Sequence, residues 1–113
     1  MIFGIGIDVV DIARFEESLT RTPALKARLF KPSEIDRAIH SLAARFAAKE
    51  AIAKAMDSKE SFHWHDVEII NLGTGKPEFL LTGDTAKFLA GKRTHLSLSH
   101  DAGIASAMVV IEE

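Results

Sequence analysis

Two acids in this chain sit where they could do metal chemistry. Asp8 lies near the end of Gly4-Ile5-Gly6-Ile7-Asp8-Val9-Val10-Asp11, and Glu50 lies inside Arg45-Phe46-Ala47-Ala48-Lys49-Glu50-Ala51. The first stretch reads as a strand that ends in a carboxylate. The second reads as a helix with a carboxylate at the margin of its apolar stripe. Acids on two rigid elements can hold a hard divalent cation, and the cations close by (Arg45, Lys49 and Lys54) suggest phosphate chemistry. Each acid also has a plain structural reading. A carboxylate at a strand end can cap a turn. Glu50 can pair with Lys54 at i,i+4, which is worth only tenths of a kcal/mol. Their settings favour the metal: Asp8 stands on a face otherwise stripped to glycine, and Glu50 touches the apolar margin of its helix.

The elements that must position these acids follow from periodicity. Residues 2–10 alternate, with Phe3, Ile5, Ile7 and Val9 on one face, expected to be core, and Gly4, Gly6 and Asp8 on the other. Two glycines on one face of a strand suggest that something approaches closely there. Asp11 is placed to cap a helix over 12–21, which carries Ile12, Phe15 and Leu19. Pro23 and Pro32 suit the first turns of short helices over 24–29 and 33–40. The strongest helix is 41–56. Leu42, Phe46, Ala53 and Met56 form one stripe, and Ala44, Ala48, Ala51 and Ala55 form a thin second stripe that allows another element to pack tightly.

Beyond it lie a strand over 66–71, a hairpin turn at Gly73-Thr74-Gly75-Lys76, a strand over 77–81 and a helix over 83–91. The last strands are 94–99 and 103–111, turning at Asp101-Ala102-Gly103. Both faces of the final strand are apolar, which fits a central strand or a subunit interface. The class is α+β, a mainly antiparallel sheet with helices packed against it.

Composition sets the bounds. The chain has 113 residues, 47% hydrophobic and 27% charged, which predicts one globular domain over 1–113. A domain this small gains from oligomerisation. A net charge of -2 gives no general basic field for nucleic acid. The absence of cysteine excludes thiol catalysis and disulfides. No long apolar run and no secretory signal precede the first strand, so a cytoplasmic location without membrane association is expected.

Four other signals are weaker. Gly4-Ile5-Gly6 has Val9 where a dinucleotide fingerprint needs glycine. Gly73-Thr74-Gly75-Lys76 has Ile70 and Pro77 at positions that a phosphate loop fills with glycine and a hydroxyl residue. His63 and His65 have no cysteines and no third clear ligand for zinc. Ser97, Ser99 and His100 lack a nucleophile elbow.

Taken together, the motifs resemble one family. Gly6-Ile7-Asp8-Val9-Val10 followed by Arg14-Phe15 is similar to the first signature of the holo-acyl-carrier-protein synthases, which are 4'-phosphopantetheinyl transferases. Arg45-Phe46-Ala47-Ala48-Lys49-Glu50-Ala51 followed by Lys54-Ala55 resembles their second. Trp64-x-Asp66-Val67-Glu68, Gly75-Lys76-Pro77 and Leu96-Ser97-Leu98-Ser99-His100 follow in the family's order.

The resemblance implies a 4'-phosphopantetheinyl transferase-like fold and a Mg²⁺-dependent transfer of 4'-phosphopantetheine from coenzyme A to a serine of apo acyl carrier protein. Adenosine 3',5'-bisphosphate is released, and the reaction supports fatty acid biosynthesis. It also implies a homotrimer with active sites between subunits. Carried over residue by residue, it makes Asp8 and Glu50 the metal ligands and Lys54 a catalytic cation at the phosphate. Arg45, Lys49 and His100 become coenzyme contacts, and Glu34 an acid that orients a proton-accepting water. Arg14, Arg21, Lys26 and Arg28 are candidates for docking the acidic carrier. The chain departs from the family at Met56-Asp57-Ser58-Lys59-Glu60, where a glycine-rich turn is usual. A non-catalytic trimeric binding module and a Mg²⁺-dependent phosphohydrolase remain the alternatives.

Overall fold

The computed structural model describes residues 1–113. Strand β1 (Ile2–Asp11) leads into helices α1 (Ile12–Arg21), α2 (Ala24–Leu29) and α3 (Ile39–Met56). A 3₁₀ turn (Trp64–Asp66), strands β2 (Val67–Asn71) and β3 (Pro77–Leu81), helix α4 (Gly83–Phe88) and strands β4 (Arg93–Asp101) and β5 (Ile104–Glu112) complete the order. β1, β5 and β4 form an antiparallel sheet in that order, and β2 and β3 form a separate hairpin. The expected α+β class is therefore seen, and β5 is central, as its two apolar faces suggest. The turn before it runs through Ala102 and Gly103, both at positive φ (50° and 79°), the geometry that a tight hairpin demands.

α3 lies across one face of the sheet. Ala105, Ala107, Val109 and Ile111 of β5 are buried beneath it, as are Ala48, Ala51 and Ala55 of the helix itself. The contact with β1 is closer than side chains permit. A Cβ built on Gly4 would fall on the carbonyl oxygen of Ala55, and one on Gly6 would fall on that of Ala51. Strand backbone therefore meets helix backbone directly, the close approach that the glycine pair and the alanine stripe foretold.

This packing inverts the expected facing of β1. The glycine face is the inner one, while Ile5, Ile7 and Val9 remain 60%, 61% and 60% exposed and Phe3 38%. Branched side chains on the inner face would hold α3 off the sheet, so they lie on the side that no helix covers. Alternation shows that two faces differ, not which one is covered.

A second correction concerns residues 33–40. They form no helix: turns run from Pro32 to Arg37, and α3 begins at Ile39 rather than 41. Glu34 prevents a helix by turning inward and accepting the Lys31 backbone N–H (3.1 Å), a local bond that competes with helical hydrogen bonding. α4 stops at Phe88 instead of 91. α3 ends on Asp57 at φ 52° and ψ 37°, a left-handed cap that glycine adopts without strain.

Gly6→Ala should lower unfolding stability by about 3 kcal/mol, the upper part of the overpacking range, read as a drop in the denaturation midpoint. Gly73→Ala, whose Cβ would meet nothing within 4 Å, should stay within about 0.5 kcal/mol of the parent.

Candidate active site

Asp8 follows Gly4 and Gly6 on the inner face of β1, so the contact that seats α3 on the glycines carries Asp8 to the turn of α3 that holds Glu50 and Lys54. The Lys54 ammonium donates to Asp8 Oδ1 at 3.0 Å and to the Ile7 carbonyl at 2.9 Å. Glu50 is half-buried, and burial first, then the negative charge of Asp8, pushes its carboxyl above the usual 4.5, against a smaller opposing pull from Lys54. Asp8 and Glu50 both line a cavity of about 530 Å³. The pair predicted from sequence thus converges.

The chemistry of this donor set suits magnesium. Two hard carboxylates repel one another, and no cluster of three His, Asp or Glu side chains exists to form an all-protein cage. Mg²⁺ characteristically takes one or two carboxylates and fills its octahedron with water and substrate phosphate. His63 and His65 do not converge on a metal: His63 faces Asp84 at 3.4 Å, and His65 Nε2 lies 2.7 Å from the Ala27 carbonyl, as a donor to it.

The cavity has an aromatic wall that sequence reasoning missed. Phe15 of α1 stacks on Phe46 of α3 at 4.9 Å between ring centroids, and Phe46 stacks on Trp64 at 5.8 Å. Offset stacking at such distances is favourable beyond area burial. Phe15 and Phe46 were visible only as members of two separate helical stripes, and Trp64 as part of a motif. Nothing local in sequence links three rings spread over 50 positions.

Three residues expected to act on ligand lie elsewhere. Lys49 is fully buried and donates to the Leu29 carbonyl (2.7 Å), Glu34 Oε1 (2.8 Å) and the Trp64 carbonyl (3.2 Å). All three ammonium hydrogens therefore have internal acceptors, which argues against a contact with coenzyme phosphates. Burial is also the main cause holding the Lys49 pKa below its usual value. Glu34 is equally buried and accepts from Lys49, from the Lys31 N–H and from the Ile69 N–H (3.1 Å). It faces the interior rather than the cavity, so it has no access to a water at the reacting serine. Arg45 is buried and donates to Ser41 Oγ and to Asn71 Oδ1 (2.9 Å), which turns its fork away from Asp8 and toward the β2 end.

His100 is exposed at the end of β4, its ring 6.1 Å from that of His40. It pairs with Ala105, which pairs with Val10, so it shares the inner face with Asp8 but stands two strands, roughly 10 Å, from β1. Of the four docking candidates, Arg14 and Arg28 line the cavity. Arg21 lies beside Glu16 and Glu17 in one separate depression and Lys26 near Glu16 and Arg37 in another, so the four do not form one patch.

Comparison with known proteins identifies the family. Residues 4–105 match the model of the 4'-phosphopantetheinyl transferase superfamily. The chain is 51% identical to the holo-[acyl-carrier-protein] synthase of Leifsonia xyli subsp. xyli, covering 99% of this chain and 98% of that protein. It is 52% identical to the synthase of the same name from Beutenbergia cavernae, covering 99% of each. Among solved structures it is similar to the Neisseria meningitidis synthase (TM-score 0.91, 33% identity, all of both chains). It is also similar to the Helicobacter pylori synthase in complex with coenzyme A (TM-score 0.84, 34% identity, 96% of this chain and 99% of that one).

The raised Glu50 pKa fixes the sign of a stability effect. In the metal-free protein the native state holds this proton more tightly than the unfolded chain, so Glu50 reduces stability as pH rises from the ordinary glutamate range through its own raised pKa. Glu50→Gln should therefore raise Tm at neutral pH and leave it nearly unchanged below the ordinary glutamate range. Asp8→Asn should move the Glu50 carboxyl back toward 4.5 in an NMR titration.

Proposed function

The chain belongs to the 4'-phosphopantetheinyl transferase superfamily, and on that premise we propose that it acts as a holo-acyl-carrier-protein synthase. It moves 4'-phosphopantetheine from coenzyme A onto a serine of apo acyl carrier protein. The serine Oγ bonds to the β-phosphorus, the bond from that phosphorus to the bridging oxygen breaks, adenosine 3',5'-bisphosphate departs, and the serine proton passes to solvent or buffer. The product is a carrier primed for fatty acid biosynthesis in the cytoplasm. No helix of the chain is long and apolar enough to cross a membrane.

The convergence of Asp8 and Glu50 on one cavity, with the Lys54 ammonium bonded to Asp8, supports this reading. Mg²⁺, held by Asp8 and Glu50, would offset charge on the diphosphate oxygens. Lys54, 54% exposed at its side chain and now bonded to Asp8, has the freedom to turn its ammonium to the departing phosphate and neutralise the charge that builds there. Phe15, Phe46 and Trp64 keep one wall of the cavity apolar, which limits water as a competing nucleophile. Arg14 and Arg28 at the cavity offer the nearest positive charge to an acidic carrier, with Arg21 and Lys26 farther round. His100, exposed and on the same sheet face as Asp8, is left for the nucleotide end of the coenzyme.

We also assign a homotrimer. Ile5, Ile7, Val9 and Met108 leave one face of the sheet apolar and wet, a patch of the kind that subunit interfaces cover.

Apo carrier protein mixed with coenzyme A and Mg²⁺ should gain the mass of phosphopantetheine, read by mass spectrometry. Free phosphopantetheine would instead indicate a hydrolase, and no product a binding module. Asp8→Ala and Glu50→Ala should each lower transfer by about 100-fold or more without changing subunit association. Met108→Glu should convert the assembly to monomers in sedimentation equilibrium, and a trimer surviving that charge would refute the assigned interface.

A further inference from the structure

We infer that the buried Lys49–Glu34 pair is the positioning device of the active cavity: it fastens the cavity's outer wall to the helix that carries Glu50. The inference rests on the reading of Asp8, Glu50 and Lys54 as the transfer site.

The connections are specific. Lys49 precedes Glu50 on α3, and its ammonium reaches away from the cavity to three segments at once. One bond goes to the Leu29 carbonyl at the end of α2, one to the Trp64 carbonyl in the 3₁₀ turn, and one to Glu34 in the turn between α2 and α3. Leu29 and Trp64 are themselves cavity-lining residues. Glu34 extends the bracing through its second oxygen to the Ile69 N–H of β2. Lys49 and Glu34 are 0% and 1% exposed, so neither touches a ligand from where it stands. A satisfied charge pair in the interior is sensitive to loss of either member, because the remaining charge is left buried and unpaired. Removing it releases the two backbone carbonyls that set the distance between the aromatic wall and Glu50. Displacements of about 1 Å at such sites lower turnover by roughly two orders of magnitude.

Trp64 is the single tryptophan, which supplies a direct readout in ligand-free protein. Lys49→Met and Glu34→Gln should each move Trp64 fluorescence to longer wavelength and increase its quenching by acrylamide. Each should lower kcat by about tenfold or more while KM for coenzyme A stays within about twofold, the range seen when groups behind a site are changed. The double variant Glu34→Gln/Lys49→Met should be no worse than the poorer single one, since both remove one shared interaction. Lys49→Arg should fail to rescue, because a planar fork cannot serve three convergent acceptors.

The opposite pattern would overturn the inference. Unchanged Trp64 emission with a raised KM for coenzyme A, restored by Lys49→Arg, would place Lys49 on the ligand. Should Lys49→Met not fold, Glu34→Gln carries the same readings, since it keeps the shape and an acceptor oxygen. The fluorescence result stands apart from the transfer assay, so a parent protein that transfers nothing refutes the functional premise, while an unmoved Trp64 refutes the brace.

Discussion

The distance between β1 and α3 governs everything else in the molecule. Gly4 and Gly6 on the strand face Ala51 and Ala55 on the helix, with no room for a Cβ on either glycine. No flexible side chain mediates the contact, so backbone geometry alone sets the spacing. Asp8 is two residues beyond Gly6 on the same face, and Glu50 and Lys54 flank Ala51 along the helix. One close approach therefore brings together groups that are more than 40 positions apart in the chain.

Two sets of charged residues then divide along α3 by how well they are satisfied. On the inner side Lys49 and Glu34 find a partner for every hydrogen and oxygen that matters, and they act as structure. On the cavity side Glu50 and Asp8 are left in mutual repulsion, offset only in part by the half-exposed Lys54 ammonium bonded to Asp8. The first arrangement is stable without a ligand. The second is improved by one, since a divalent cation relieves a repulsion that the protein alone leaves in place.

Much of this was legible in the sequence, for physical reasons that also mark the limits. α1 and α2 have the bounds that capping and proline placement gave them, because those signals are local. The Asp8–Glu50 pairing was legible because each acid interrupts a pattern, glycine on one element and apolar residues on the other. The facing of β1 was not, since alternation is silent on which side a helix will cover. The inward turn of Glu34 was hidden as well: besides the nearby Lys31 N–H, its partners lie 15 and 35 residues away, and local propensity carries no trace of those two. Arg45 and Lys49 looked like phosphate ligands for the same reason, as cations beside the acid Glu50, whereas their acceptors are Ser41, Asn71, Leu29, Glu34 and Trp64, most of them distant in sequence.

The uncovered side of the sheet has a consequence for how the protein lives. A newly released chain folds with Ile5, Ile7 and Val9 in water, and under the proposed trimer only encounter with its own copies would remove them. The working population should then vary more steeply than linearly with the amount synthesised, and dilution should erode it before any single chain unfolds. Cells holding few molecules would then have disproportionately little of the assembled form, and expression level itself would become a control on output.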